Sequence, residues 1–410
     1  MVSTVLELSA EPIHTPTMMP MAKAESVGMS TEVLGRIDEM MREQIDDGRI
    51  QGGATIVARR GKVVHFSTHG EMDIEKSRVM EPDALYIMAS SAKPVIGVAT
   101  LMLVDEGLIS LSDPLSKFIP DFASQKVAVS AKSLNRDDKK EKADNKSKKW
   151  DKSKGKSNKG KGDVLSQQLV PVETPLTIHH LLTHTSGLTG GGIVRKEGDS
   201  LATYVPKLAT AALIFQPGTR WVYGNVGFHS VLPRIIEIVS ETPFHKFMQE
   251  RLFNPLEMNN TYFRVPSEKV SKLILREAYE MKGGGGLVST AEDFLHFEQM
   301  LLNGGELFGN RLLSSEIVKT MGTNQVGELF ATSGKGAKAQ KGMGFGYAVA
   351  ITLDPIAAGN GRGIGAFGWG GAAGTVSWTD PKNDLVGVLM LQQPRGGGNF
   401  AKIVGEAIID

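Results

Sequence analysis

Ser90 and Lys93 stand three residues apart where the chain changes its hydropathy pattern. The apolar run ending at Ala89 reads as a buried strand. The segment Val95 to Val104 is apolar for too long to be one, so the pair falls where strand hands over to helix. Pro94 lacks an N–H and fits a helix only in its first turn. Three-residue spacing then puts both side chains on one side of that turn. A serine placed there faces the open N–H groups and positive dipole end of the helix, which favour an anion forming at its hydroxyl. A buried amine beside it can hold or take a proton. Val95, Ile96, Val98, Leu101, Met102, Leu103 and Val104 make the helix apolar on every side, so the pair is mounted on rigid core. The plainer reading of Ser90 is a helix N-cap. The same two-letter spacing recurs at Ser153 and Lys156 without apolar support, so the pair alone does not decide between the two readings.

The elements that must hold this pair follow from the rest of the pattern. Ser30 caps a helical stripe of Val33, Leu34, Ile37, Met40, Met41 and Ile45, and two alternating runs meet at Arg60-Gly61 as a hairpin. Helical periodicity dominates from Asp199 to Ile214 and from Gly227 to Leu252. It returns from Thr290 to Leu302, after the glycine break 283–286. Strand-like runs follow at Gly346 to Leu353, Ala366 to Trp369, Thr375 to Thr379 and Leu385 to Gln392, and a closing helix runs from Asn399. Strands at both chain ends around a helical middle imply an α/β protein of the α+β type. Its mixed, mainly antiparallel sheet is flanked by helices, with an all-helical subdomain inserted. The boundaries expected are an arm at 1–24, a sheet domain from 25–124 with 283–410, an unstructured insertion at 125–170 and the helical subdomain at 171–282.

Composition narrows the function. The 410 residues, 41% of them apolar, allow two domains and a large core. No apolar run approaches the ~18 residues of a membrane span. The opening residues, broken by Glu7 and Glu11, do not read as a secretory leader, so the cytoplasm is expected, or the periplasm if a leader is missing from the chain. Zero cysteines excludes disulfides, thiol catalysis and thiolate metal sites. The net charge of +1 hides a basic tract, with 13 Lys or Arg against 5 Asp or Glu between Lys132 and Gly162, while the remainder carries 33 against 40. That tract reads as solvated chain, and without interleaved aromatics beyond Trp150 it argues against a nucleic-acid partner. Gly155-Lys-Ser157 is not a phosphate loop, because Trp150 occupies the earlier glycine position. His180 and His184 have a metal-binding spacing but no acidic companion, so both read as structural and no metal is expected.

Further blocks accompany Ala89-Ser-Ser-Ala-Lys-Pro94: His180-Leu-Leu-Thr-His-Thr-Ser-Gly-Leu188, Gln216-Pro-Gly-Thr-Arg-Trp-Val-Tyr-Gly-Asn225 and Phe367-Gly-Trp-Gly-Gly371. In this order and at these distances they resemble the serine β-lactamase-like hydrolases, a group of class C β-lactamases, penicillin-binding proteins and family VIII carboxylesterases. The resemblance spans about residues 25–124 and 171–410 and leaves out the basic tract. It implies a β-lactamase/transpeptidase-like fold that uses no cofactor. Ser90 becomes the nucleophile, Lys93 its activating partner, and Tyr223 with Asn225 a Tyr-X-Asn element. The backbone N–H of Ala372, past Trp369-Gly370-Gly371, becomes an oxyanion donor alongside that of Ser90.

Residue chemistry agrees. Lysine and tyrosine ordinarily titrate near ~10, but a lysine cation favours the tyrosinate and burial favours the neutral amine. Which of the two takes the proton is a coupled question that the sequence leaves open. Asn225 can donate its amide to substrate or hold the cluster in register. Many β-lactamases and transpeptidases have lysine where this chain has Trp369. An indole cannot bind a substrate carboxylate by charge, yet it covers apolar acyl groups well. The expected activity is therefore hydrolysis of small neutral carboxylic esters through an acyl-enzyme. β-Lactam or D-amino-acid peptide hydrolysis, acyl transfer, and a non-catalytic scaffold are the alternatives. No Gly-X-Ser-X-Gly elbow offers another source of esterase activity.

Overall fold

In the computed structural model the residues described are 18–130, 167–274, 286–333, 340–394 and 396–410. Strands from the two ends of the chain combine in one eight-stranded antiparallel sheet. In spatial order these are Met343–Phe345, Ala350–Thr352, Phe367–Gly370, Val376–Asp380, Leu385–Leu391, Gly52–Arg59, Lys62–Asp73 and Arg78–Val79. The two halves join where Gly53 to Arg59 pair with Leu391 to Leu385. Both joining strands are buried at every position, so their sequences are nearly continuous apolar runs instead of alternating ones.

The sheet is covered on both faces. Val57, Trp378, Leu385, Leu389 and Leu391 pack into one cluster with Leu34, Ile37 and Met41 of the helix Thr31–Asp46 and Phe400, Ile403 and Val404 of the helix Phe400–Glu406. Ser30 caps the first of these helices as expected, its hydroxyl accepting from the Val33 N–H. Against the other face lies the helix Ala291–Leu302, where Glu298 meets the alternate residues Ser377 and Thr379.

Glu298 is a carboxyl with almost no exposure, bonded by the Ser377 hydroxyl at 2.5 Å and the Thr379 hydroxyl at 2.8 Å. Burial pushes it from an ordinary 4.5 up to about 7, against the pull of those two hydroxyls and the charge of Arg362. The folded chain thus keeps a proton that the unfolded chain releases. This group favours folding below its ordinary value, and the contribution is lost as pH rises from 4.5 to about 7. Glu298→Gln is expected to raise the melting temperature at about pH 8 and to leave it nearly unchanged at about pH 4. Thermal unfolding across that range checks this, and a variant that melts with the parent's pH dependence contradicts it.

The chain divides into two compact units, 1–109 with 236–410, and 110–235. The second begins earlier and ends earlier than the helical subdomain expected at 171–282, and it is not all helix. Its described elements include the short helices Ile178–Leu182 and Leu201–Leu208 and a two-stranded ribbon, Lys126–Ser130 paired with Gln167–Pro171. The helix Phe244–Met248 belongs to the first unit. Hydropathy period cannot see such boundaries, which are set by long-range contacts. The ribbon also shows that the expected insertion at 125–170 has paired ends, with Ser130 opposite Gln167. Residues 131–166 lie outside the described residues, and with them Trp150, the Ser153 and Lys156 pair and Gly155-Lys-Ser157. So do 1–17 of the expected arm and 283–285 of the glycine break. The described part of the arm is attached: the Ala22 N–H donates to the Val63 carbonyl and the Val63 N–H to the Pro20 carbonyl, both at 2.9 Å. Among the described residues no helix is long and apolar enough to cross a membrane.

Candidate active site

The strand before Ser90 is shorter than the apolar run suggests. Tyr86–Ile87 pairs with Val288–Ser289 and Leu85 bridges to Leu273, and a 3-10 turn Ala89–Ser91 precedes the helix Ala92–Asp105. Gln392 grips this entry from both sides, accepting from the Ile87 N–H at 2.9 Å and donating to the Ile87 carbonyl at 3.3 Å. Ala89 takes φ +48°, a left-handed conformation that side chains resist, so the turn before the serine is held by its surroundings and not by local preference. The N-cap position belongs to Ser91, and Ser90 sits half-buried one residue earlier. Pro94 falls in the first helical turn, where the missing N–H is harmless.

Lys93 has 0% exposure and donates from Nζ to Ser90 Oγ at 3.3 Å. Nothing in the amphipathic logic of a surface helix accounts for a lysine there. Twelve of the helix's fourteen residues, from Ala92 to Leu103, are buried.

The Trp369 block lies beside this turn. Phe367–Gly370 is a strand, and the chain reverses at once: the Gly371 N–H donates to the Thr375 carbonyl at 2.7 Å and the Gly374 N–H to the Gly371 carbonyl at 3.0 Å. Ala372 is therefore on the exposed tip of a tight turn and not along a strand edge. A Cβ at Gly371 would lie 2.4 Å from the Met88 carbonyl oxygen, so glycine is what lets this turn approach the segment before Ser90. Trp369 is partly buried and meets the Phe345 ring edge-on at 5.4 Å. Ser91 and Thr375, which sequence reasoning did not single out, join across the gap through their hydroxyls at 2.9 Å. A serine next to the nucleophile in the motif was the only signal available for them.

Tyr223 and Asn225 belong to the second unit. Both are exposed, Tyr223 at 37%. Between them the Gly224 N–H donates to His184 Nδ1 at 3.3 Å, and the His184 ring lies 4.8 Å from that of Tyr223, 5.0 Å from Phe228 and 5.6 Å from Trp221. His184 thus holds the Tyr-Gly-Asn segment in place. Its four-residue spacing from His180 is not a shared helix face, because the helix ends at Leu182 and His184 has φ +57°. His180 instead caps its own helix, its Nδ1 taking the Thr177 N–H at 3.1 Å, and burial, with the neighbouring His179, brings it down to about 4. The structural reading of both histidines is the one this geometry serves.

The Beta-lactamase family model matches residues 37–404, nearly the whole chain. The chain belongs to the Beta-lactamase family. An uncharacterized protein of Mycobacterium tuberculosis is 30% identical over 387 residues, covering 86% of this chain and 88% of the relative. Esterase EstB of Burkholderia gladioli is 26% identical over 412 residues, covering 88% and 91%. Among solved structures, EstCE1, described as a hydrolase with promiscuous acyltransferase activity, superposes with a TM-score of 0.70 at 21% identity over 92% of this chain and 99% of that one. The resemblance read from the four blocks and the fold it implied are both borne out, including the large antiparallel sheet flanked by helices. Within the first unit the fold brings Ser90, Lys93 and the Trp369 to Ala372 turn to one place. Within the second it gathers Tyr223, Asn225 and His184.

Proposed function

We propose that this member of the Beta-lactamase family is a serine carboxylesterase acting on small neutral esters through an acyl-enzyme on Ser90. The observation that carries the reading is the fully buried Lys93 amine donating to Ser90 Oγ at 3.3 Å at the start of a core helix. In this reading Ser90 Oγ attacks the ester carbonyl and its proton passes to Lys93 or to Tyr223, the two acceptors that the family resemblance implies. The N–H groups of Ser90 and Ala372 stabilise the oxyanion, and the alcohol leaves with the proton. Water then attacks the acyl-serine, returning the proton to Ser90 and releasing the acid. Asn225 can donate its amide to the substrate. Trp369 supports the preference for neutral esters, since it offers an apolar surface and no charge for a substrate carboxylate. The name of Esterase EstB, a 26% identical relative, points the same way.

The test is intact-mass detection of acyl adducts across a mixed panel of short p-nitrophenyl esters and β-lactams, with the adduct mapped by peptide digestion. Ester turnover should exceed nitrocefin turnover, and the adduct should lie on the peptide containing Ser90. Faster nitrocefin turnover moves the assignment to a β-lactamase. No adduct from any substrate, together with no labelling by a fluorophosphonate, moves it to a non-catalytic scaffold.

A further inference from the structure

The Ser91 to Thr375 contact has a direction. The Thr375 hydroxyl, 1% exposed, donates to the Met88 carbonyl at 3.3 Å, so its oxygen accepts from the Ser91 hydroxyl at 2.9 Å. The same Met88 carbonyl accepts the Ser91 N–H at 2.9 Å. Met88 and Ser91 flank the turn that holds Ser90, and Thr375 ends the turn that holds Ala372. One buried hydroxyl therefore ties together the two backbone segments whose N–H groups serve as oxyanion donors in the reading above. The fit is close, because a Cβ on Gly371 would lie 2.3 Å from Thr375 Oγ1. The tie also sits where it is needed: Ala89, inside the clamped segment, holds a left-handed φ of +48° that its own side chain opposes.

We propose that Thr375, acting through Ser91 and Met88, is a positioning residue that sets the spacing between the Ser90 and Ala372 N–H groups. It touches no substrate, and its effect is on the geometry of the donors. This proposal rests on the serine-esterase reading, so the test keeps the two apart. Thr375→Val keeps shape and removes the hydroxyl, Thr375→Ser restores it, and Ser91→Ala breaks the chain from the other end.

The readouts are kcat and KM on a short p-nitrophenyl ester, the rate of fluorophosphonate labelling, and the melting temperature. Thr375→Val should lower kcat and the labelling rate by about 10²-fold, the loss expected of a small misplacement of reacting groups, with KM within about threefold. Thr375→Ser should recover to within about threefold of the parent, and Ser91→Ala should lose about tenfold or more. Parent-like kcat and labelling in Thr375→Val, a loss confined to KM, or a Thr375→Ser variant as poor as Thr375→Val each overturn the proposal. Where Thr375→Val does not fold, Ser91→Ala decides by the same readouts. If Ser90→Ala retains turnover, the nucleophile assignment falls. If Ser90→Ala is inactive while Thr375→Val is unimpaired, only the positioning role falls.

Discussion

Ser90→Ala is expected to lower ester turnover by about 10⁴-fold or more while leaving the melting temperature close to that of the parent. The two halves of this expectation have different sources. Activity falls because the hydroxyl bonded to the Lys93 amine is removed, and a covalent route has no substitute once its nucleophile is gone. A residue above background remains in such variants because oxyanion donors and substrate binding survive the substitution. Stability holds because Ser90 is half-buried and outside the apolar clusters of the sheet, so trimming one oxygen opens no core cavity. Steady-state assay of the purified variant, with its fluorophosphonate adduct sought by intact mass, is the measurement. Turnover at the parent's level removes Ser90 from the chemistry.

Lys93→Met is expected to lower ester turnover by about 10³- to 10⁴-fold and to keep or raise the melting temperature. A lysine with 0% exposure on a helix buried along most of its length is a costly choice for stability alone. Methionine fills the same unbranched volume and removes the desolvation of the amine. Activity lost while stability is kept or gained separates a residue retained for proton transfer from one retained for packing. Scanning calorimetry beside the ester assay reads both quantities. A variant within about tenfold of parental activity excludes Lys93 as a proton carrier, and a collapse of the melting temperature makes it a structural residue.

Much of the first unit was legible because its signals are local. The Ser30 cap, the hairpin at Arg60-Gly61 and the strand at Leu385 are each written in a few adjacent residues, and each appears where the sequence places it. The Ser90 to Lys93 spacing was legible for the same reason, since three residues around a helix start admit few arrangements. Three things were not. The run before Ser90 reads as a strand to Ala89, but apolar content reports burial and not pairing, and the chain turns at Ala89 into a left-handed conformation that alanine does not advertise. His184 reads as a bland structural histidine. Its place under Tyr223 comes from a fold that brings residues forty apart together, and periodicity carries no trace of that. Thr375 reads as the first residue of a strand, and only the approach of the Met88 segment gives its hydroxyl a purpose.

The ribbon that pairs Lys126–Ser130 with Gln167–Pro171 fixes the two ends of the chain that joins them. Because Ser130 and Gln167 are cross-strand partners, the two ends of the join lie about 5 Å apart. A two-residue Asn-Gly hairpin spans such a gap. The ribbon is thus a natural graft point, since its paired strands fix both ends of any chain spliced between them.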